Sequence, residues 1–227
     1  MTSIRTDPDN DRDTDSAADR AQTVLDWTRI NARALTIGAV VVAIAAAGYW
    51  FYLRSREIQS ANAEKALMNA KQSISAGNTS LAQSDLQKVY SRYGSTNAGV
   101  EAAMLLAQID YDGHKVQDGV SLLDKVAGSS AASRMQSTIL GLEGDGYMQL
   151  GKPAEAAKRY EAAATATIYE AERAYQRSKA ARAYQIAGDT AKARDVWTSI
   201  LNDPSAQSMA AEARVRLGEL TAQPAKG

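Results

Sequence analysis

The feature that most constrains the fold is an internal repeat, in which four segments align without gaps at a spacing of 37 residues. A repeat of this length is typical of stacked helical units. Two columns of the alignment hold small residues, two hold mainly large apolar residues, and a turn column rich in glycine lies between the small columns. The small columns are Ala70, Ala107, Gly144, Ala181 and Ala82, Gly119, Ala156, Ala193; the apolar columns are Leu86, Leu123, Tyr160, Trp197 and Val89, Val126, Ala163, Ile200; the turn column is Gly77, His114, Gly151, Gly188.

These columns predict a unit made of a helix, a tight turn and a second helix. Glycine can adopt the left-handed conformation that ends a helix, so the turn column separates the two helices of a unit. Small residues let the paired helices cross closely, and the large residue one turn later fills the space between neighbouring units. One such unit cannot bury its apolar face alone. The units are therefore expected to stack into an all-α helical solenoid.

Composition supports an all-α fold and argues against several classes of function. Phenylalanine occurs once, at Phe51, and alanine is abundant, which favours closely packed helices over strands. Lys plus Arg and Asp plus Glu both number 26, so no net basic field is available to hold nucleic acid. The chain has no cysteine, which removes disulfides and thiolate metal sites and suits a reducing or an oxidising compartment equally well.

Residues 34–53 (ALTIGAVVVAIAAAGYWFYL) form an apolar segment without any charged residue, Asn, Gln or Pro. As a helix, a segment of this length spans roughly 30 Å, the thickness of the hydrocarbon core of a bilayer. Arg29 and Arg33 precede the segment and Arg54 and Arg56 follow it, and aromatic residues near both ends match the anchors found at membrane interfaces. The segment therefore predicts one transmembrane helix.

Two other interpretations of this segment are a buried core helix and a cleaved signal peptide. A core helix of this length would rarely lack every polar residue. A signal peptide has its apolar region close to the N-terminus, whereas here the polar residues 1–33 come first. Basic residues near the two ends are almost equal in number, so charge alone does not predict the orientation of the helix.

Residues 1–33 are predicted to form a polar, largely disordered N-terminal tail, and residues 223–227 a disordered C-terminus. The tail carries Asp at every second position from Asp7 to Asp15, which resembles the start of a calcium-binding loop. A calcium loop needs Gly at its sixth position and Glu at its twelfth, where this chain has Arg12 and Ala18. We therefore expect no calcium site in the tail.

The sequence offers no signature of an enzyme. The stretch GYMQLGKP approaches a phosphate-binding loop, but Pro153 stands where a Ser or Thr hydroxyl must hold magnesium, and no strand is predicted before it. His114 is the only histidine, so the chain has no pair of imidazoles for zinc, and a turn position is a poor place for a catalytic base. We expect no catalysis, no cofactor, no metal and no small-molecule substrate.

The repeat units resemble tetratricopeptide repeats. The stretches LEGDGYMQLGKPAEAAKRYEAAA and ARAYQIAGDTAKARDVWTSIL carry the likeness, with Tyr147 and Tyr184 at the aromatic position of the pattern. The first two units depart from it, with Ser73 and Asp110 at that position, and AAEARVRLGEL continues the register as a half-unit that caps the stack. The resemblance implies four helix-turn-helix units and a capping helix over residues 54–222.

The resemblance also implies where partners bind. In tetratricopeptide proteins the first helix of each unit lines a groove for peptides or partner helices, and individual positions can equally serve packing or plain surface. The candidate groove residues in this register are Leu67, Lys71, Ile74, Met104, Gln108, Tyr111, Asp145, Met148, Arg182 and Gln185.

Nearly the whole chain resembles the YfgM-like family, the ancillary subunits of the bacterial Sec translocon. The likeness rests on VLDWTRINARALTIGAVVVAIAAAGYWFYLRSREIQSANA and on SLAQSDLQKVYSRYGSTNAGVEAAMLLAQI. It implies a single-pass protein of the bacterial cytoplasmic (inner) membrane, with the N-terminus in the cytoplasm and the repeats in the periplasm. It also implies an adaptor that links the translocon to periplasmic chaperones and emerging polypeptides. The alternative is a repeat scaffold for cell-envelope assembly or cell division with another fixed partner.

Overall fold

The computed structural model describes Trp27 and residues 30–222, and this part of the chain contains helices and turns but no strand. The chain divides into two compact units between Glu57 and Ile58. Most of the predicted tail 1–33 and the predicted C-terminus 223–227 lie outside the described residues. The helices are α1 Ala32–Ser75, α2 Thr79–Tyr93, α3 Asn97–Asp112, α4 Val116–Ala127, α5 Gln136–Gln149, α6 Pro153–Ala166, α7 Glu170–Ile186, α8 Thr190–Asn202 and α9 Gln207–Ala222, with 3-10 turns at Ser130–Met135 and Pro204–Ala206.

The first unit contains the apolar part of α1. Every residue of 34–53 is exposed, and this helix is long and apolar enough to cross a membrane. At the end of the segment the Arg54 guanidinium pairs with Glu57 at 2.8 Å, and the guanidinium of Arg56 lies 5.6 Å from the centre of the Tyr52 ring. None of these apolar side chains is buried by the described residues, in contrast to those of a core helix.

The second compact unit, from residue 58 onward, contains the repeat units. In it the first helix of each repeat unit alternates along the chain with the second helix. From α2 to α9 each helix packs against the next one along the chain. First helices also contact one another across units, as α3 does with α5 and α7 with α9. This pairing of nearest and next-nearest helices is the arrangement of a helical solenoid, in which each unit contacts mainly its neighbours.

The columns identified in the sequence lie at the contacts between these helices. All residues of the two small columns and the two apolar columns are buried, and Leu86, Leu123, Trp197 and Ile200 are wholly inaccessible. The small residues are required by the space available. A Cβ added at Gly119 would come within 2.6 Å of the Tyr111 ring, closer than real Cβ atoms approach their neighbours.

The turn column produces the sharp reversal between the helices of a unit. Its four residues have the only positive φ angles in the described residues, between 59° at His114 and 82° at Gly188. In each turn the amide of the next residue donates to the carbonyl five residues back, for example Lys152 N to Tyr147 O at 2.9 Å. These bonds satisfy carbonyls that the helix end would otherwise leave unpaired. The repeat therefore rests on four left-handed turns.

Candidate protein-binding groove

The ten candidate residues all lie on first helices, namely the C-terminal part of α1 and helices α3, α5 and α7. Four of them line one pocket of about 470 Å³, which we call the α3–α5 pocket. It is formed by Gln108, Tyr111, Asp112, Leu142, Asp145, Met148, Gln149 and Tyr160. The pocket therefore combines an apolar floor with carboxylate and amide groups, which suits a side chain of a bound peptide.

The other six candidates do not line this pocket. Ile74 is exposed, Lys71 is exposed, Met104, Arg182 and Gln185 are half-buried, and Leu67 is buried. Ile74, Tyr111, Met148 and Gln185 share one column of the repeat, and only the two central members of that column reach the pocket.

The structure corrects the prediction that Leu67 and Tyr111 face an open groove, because each side chain is only 5% exposed. Leu67 packs in a cluster with Ala63, Ala70 and Leu86. The hydroxyl of Tyr111 donates to the carbonyl of Leu142 at 3.1 Å. These side chains therefore hold helices together and offer a partner little surface.

The position of Tyr111 also changes its chemistry. Burial raises the pKa of the Tyr111 hydroxyl, and the nearby carboxylates of Glu143 and Asp145 raise it further. The side chain stays protonated at every physiological pH and acts as a hydrogen-bond donor between α3 and α5.

Two charged candidates, Lys71 and Arg182, are paired across unit boundaries. Lys71 forms an ion pair with Glu101, and Arg182 binds Glu212 through two nitrogens at 2.8 and 2.6 Å. The hydrogen bond from Arg182 is the main reason that the pKa of Glu212 is lowered. Their charges therefore join successive first helices and are not free for a ligand.

Asp145 belongs to a third such contact. Its carboxylate accepts a hydrogen bond from the Tyr160 hydroxyl at 2.6 Å and forms an ion pair with the Lys179 ammonium at 2.6 Å. The Lys179 ammonium also lies 4.6 Å from the centre of the Tyr160 ring, a cation–π contact. Burial raises the pKa of Tyr160, and Asp145 adds to that rise.

The sequence did not identify the ion-pair partners of the three charged candidates, which are Glu101, Lys179 and Glu212. A signal was present for two of them, because Glu101 follows Lys71 by 30 residues and Glu212 follows Arg182 by the same distance. A charge of opposite sign at a fixed offset within a repeat indicates contacts between units. Lys179 carries no comparable signal, since its partner lies 34 residues before it.

A further ion network lies behind the pocket, where Glu143 of α5 is wholly buried. The carboxylate lies 3.1 Å from the Nε of Arg159, which also binds Asp124 of α4 at 3.2 Å. The contact from Arg159 is an ion pair without hydrogen-bond geometry, and both carboxylate oxygens lack a hydrogen-bond donor in the described structure. Burial raises the pKa of Glu143 to about 7, although Arg159 acts to lower it. This group therefore titrates near neutral pH.

A second cavity, of about 660 Å³, lies between the second helices α6 and α8 with α7 behind it. We call it the α6–α8 cleft. It is lined by Glu161, Ala164, Thr165, Arg173, Arg177, Val196 and Ser199. None of these residues belongs to the groove predicted from the repeat.

The described residues contain no cluster of three or more His, Asp or Glu side chains that could hold a metal ion. The residues that line the α3–α5 pocket and the α6–α8 cleft carry carboxylate, amide, hydroxyl, guanidinium and apolar groups.

The model of the tetratricopeptide repeat-like domain matches residues 26–142 and, in a second overlapping match, residues 65–179. The chain therefore belongs to the tetratricopeptide repeat-like domain family. The chain has no significant sequence match among curated proteins.

Solved structures agree with the fold. Two crystal structures of a Podosopora anserina protein with nearly identical TPR-like repeats, of the kinesin light chain type, share 16% identity with the chain. One, of a variant with a single substitution, covers 71% of this chain and 91% of its own with a TM-score of 0.52. The other covers 74% and 99% with a TM-score of 0.51. This level of similarity establishes the solenoid fold, and the expectation from the sequence of an all-α repeat domain is confirmed.

Proposed function

We propose that the chain is a single-pass membrane-anchored adaptor whose repeat domain binds proteins and catalyses no reaction. The observation that carries this proposal is the union, in one chain, of a fully exposed apolar helix and a tetratricopeptide repeat-like domain. An exposed apolar surface of this length is costly in water and favourable in a bilayer. Repeat domains of this kind generally act as scaffolds for protein–protein contacts.

The proposed organisation follows the sequence. Residues 1–33 form a tail, 34–53 cross the membrane, 54–222 form four repeat units and a capping helix, and 223–227 form a C-terminal extension. The protein lies in the bacterial cytoplasmic membrane, with its N-terminus in the cytoplasm and the repeats in the periplasm. The resemblance to the YfgM-like family supports this orientation and supports the Sec translocon and periplasmic chaperones as partners.

The α3–α5 pocket is the part of the proposed groove best suited to a ligand. Gln108 is exposed at its edge, and the half-buried Met148 is a flexible, polarisable side chain that adapts to varied apolar partners. Leu142 lines the same pocket, and the buried Tyr111 holds α3 against α5 behind it. We expect extended or unfolded polypeptide to bind there with micromolar affinity, which corresponds to roughly 8 kcal/mol at standard state.

A photo-crosslinking amino acid at Met148 tests the proposal in cells. The adduct should contain a translocon subunit, a periplasmic chaperone or an emerging polypeptide. The matched control is Lys158, an exposed residue on the second helix α6, which should give no such adduct.

Two outcomes would change the account. Equal crosslinking from Met148 and Lys158 would show that the pocket is not the binding surface. Specific adducts with a component of envelope assembly or cell division would replace the translocon by that partner.

A further inference from the structure

We propose that the α6–α8 cleft is a second protein-binding site, which takes an acidic side chain of a partner segment beside an apolar residue. This proposal goes beyond the groove on the first helices, because no candidate residue of that groove lines the cleft.

The repeat itself marks the cleft as unusual. Arg177 occupies a column whose other members are Ala66, Ala103 and Leu140, and Arg173 occupies one with Asn62, Gly99 and Gln136. Only the fourth unit carries arginine in both columns. The corresponding positions in the other three full units carry no charge, so those units stack without a guanidinium group there, and in the capping half-unit only the column of Arg177 holds an arginine, Arg214.

The donors of the cleft are mainly guanidinium N–H groups. The hydroxyl of Thr165 donates to the carbonyl of Glu161 at 3.0 Å, and that of Ser199 donates to the carbonyl of Val196 at 2.8 Å. These two hydroxyls therefore have no proton left for a ligand. A ligand that gains hydrogen bonds here must accept them from arginine, as carboxylates do.

The two arginines differ in how much of their charge is compensated. Arg177 pairs with Asp203 at 3.2 Å, whereas Arg173 donates only to the carbonyl of Thr167 at 3.3 Å and has no ion-pair partner within residues 30–222. The three charged residues of the candidate groove, Lys71, Asp145 and Arg182, are all in ion pairs. Arg173 is thus the group in the cleft that a carboxylate would pair with.

Glu161 and the apolar wall restrict the kind of ligand that fits the cleft. Glu161 accepts a hydrogen bond from Tyr184 at 2.8 Å and lies at one side of the cleft, where a carboxylate opposes an acidic ligand. Ala164 and Val196 provide apolar surface between these charges. The cleft therefore fits a segment in which a Glu or Asp lies next to an aliphatic residue.

Peptide binding to the full-length protein in nanodiscs of zwitterionic lipid tests this assignment. The probe is a fluorescein-labelled octapeptide that alternates Glu and Leu, and the matched probe has Gln in place of Glu. Fluorescence anisotropy should show tighter binding of the Glu peptide by about fivefold or more, with the preference falling as salt is raised.

Variants that remove a positive or a negative charge from the cleft test whether the preference for the Glu peptide arises there. Arg173→Gln should remove the preference for the Glu peptide, Arg173→Lys should keep part of it, and Glu161→Gln should increase it. Arg214→Gln, at an exposed position on α9, is the control and should leave the preference unchanged.

The absence of native cysteine allows a direct test of position. The Glu peptide should slow maleimide labelling of Ser199→Cys in the cleft and leave labelling of Ser208→Cys on α9 unchanged. Equal binding of the two peptides, an unchanged preference in Arg173→Gln or in Glu161→Gln, or equal labelling with and without peptide would each overturn the proposal. A failure of crosslinking at Met148 would not affect these results, because the two surfaces share no residue.

Discussion

The two parts of α1 share one secondary structure but differ in how their apolar residues are arranged. Residues 34–53 are apolar on every side and none is buried. In residues 58–75 only Ala63, Leu67 and Ala70 are buried, at a spacing of four and three that marks one face of a helix. The difference teaches that apolar residues on one face of a helix indicate packing of that face against protein, whereas apolar residues on every side are typical of a fully buried helix or of a membrane span.

The largest expected difference between the two regions concerns tryptophan. Trp197 is wholly buried among the last units, whereas Trp50 is 67% exposed in the apolar segment. Trp197→Ala should lower the free energy of unfolding of the repeat domain by about 3 to 5 kcal/mol. Trp50→Ala should leave it within about 0.5 kcal/mol. Denaturant titration followed by circular dichroism measures both, and equal effects would abolish the distinction between the regions.

The second prediction places a charge in the apolar segment. Val42→Arg should weaken membrane insertion by about 3 kcal/mol, because an arginine near the centre of a bilayer is costly. Gln72→Arg, at an exposed position beyond Glu57, should have no such effect. The measurement is the fraction of the protein that sediments with membranes after a carbonate wash. Equal retention of both variants would count against a membrane-spanning helix.

The third prediction uses the buried carboxylate of Glu143. Its pKa is about 7 in the folded protein against 4.5 for the ordinary side chain, so the folded state holds the proton more tightly. The contribution of Glu143 to stability is therefore fully present below pH 4.5 and is lost as pH rises through 7, by about 2 kcal/mol between pH 5 and pH 8.

Glu143→Gln should remove most of this pH dependence, whereas Glu155→Gln, at an exposed position on α6, should keep it. Urea titrations at several pH values provide the test. A slope that survives in Glu143→Gln would mean that another group titrates.

The smallest expected effect concerns alanine in the two regions. Ala193 is wholly buried where the helices of the fourth unit cross, so Ala193→Leu should lower the free energy of unfolding by at least about 1 kcal/mol. Ala43→Leu in the exposed apolar segment should change neither unfolding nor membrane association. Thermal melts of the two variants compare them. An unchanged melting temperature in Ala193→Leu would contradict the repeat register.

The sequence predicted those features of the fold that depend on local steric rules. The turn column was found because positive φ favours glycine, and the small and apolar columns were found because helix contacts recur with the repeat. The ion pairs were not found, since which charges meet depends on how successive units rotate against each other. Glu143 illustrates the limit, because its column otherwise holds Asn69, Leu106 and Ala180 and nothing in that set indicates a buried acid.

The candidate groove was predicted less well than the fold. The register placed all ten residues on first helices, yet Tyr111 and Leu67 are buried in contacts between helices. The signal for Tyr111 was available in Gly119 and Gly146, because a Cβ at either position would collide with the Tyr111 side chain. Glycine within a helix often marks the place where a large side chain packs closely.

The most direct test of the account is the location of the two ends of the chain across the membrane. Single cysteines at Ser3 and at Ser208 can be labelled with a membrane-impermeant maleimide in bacteria from which the outer membrane has been removed, since the chain has no other cysteine. The account predicts labelling of Ser208→Cys in intact spheroplasts and of Ser3→Cys only after lysis. The reverse pattern would invert the orientation, and labelling of both before lysis would contradict a helix that crosses the membrane once.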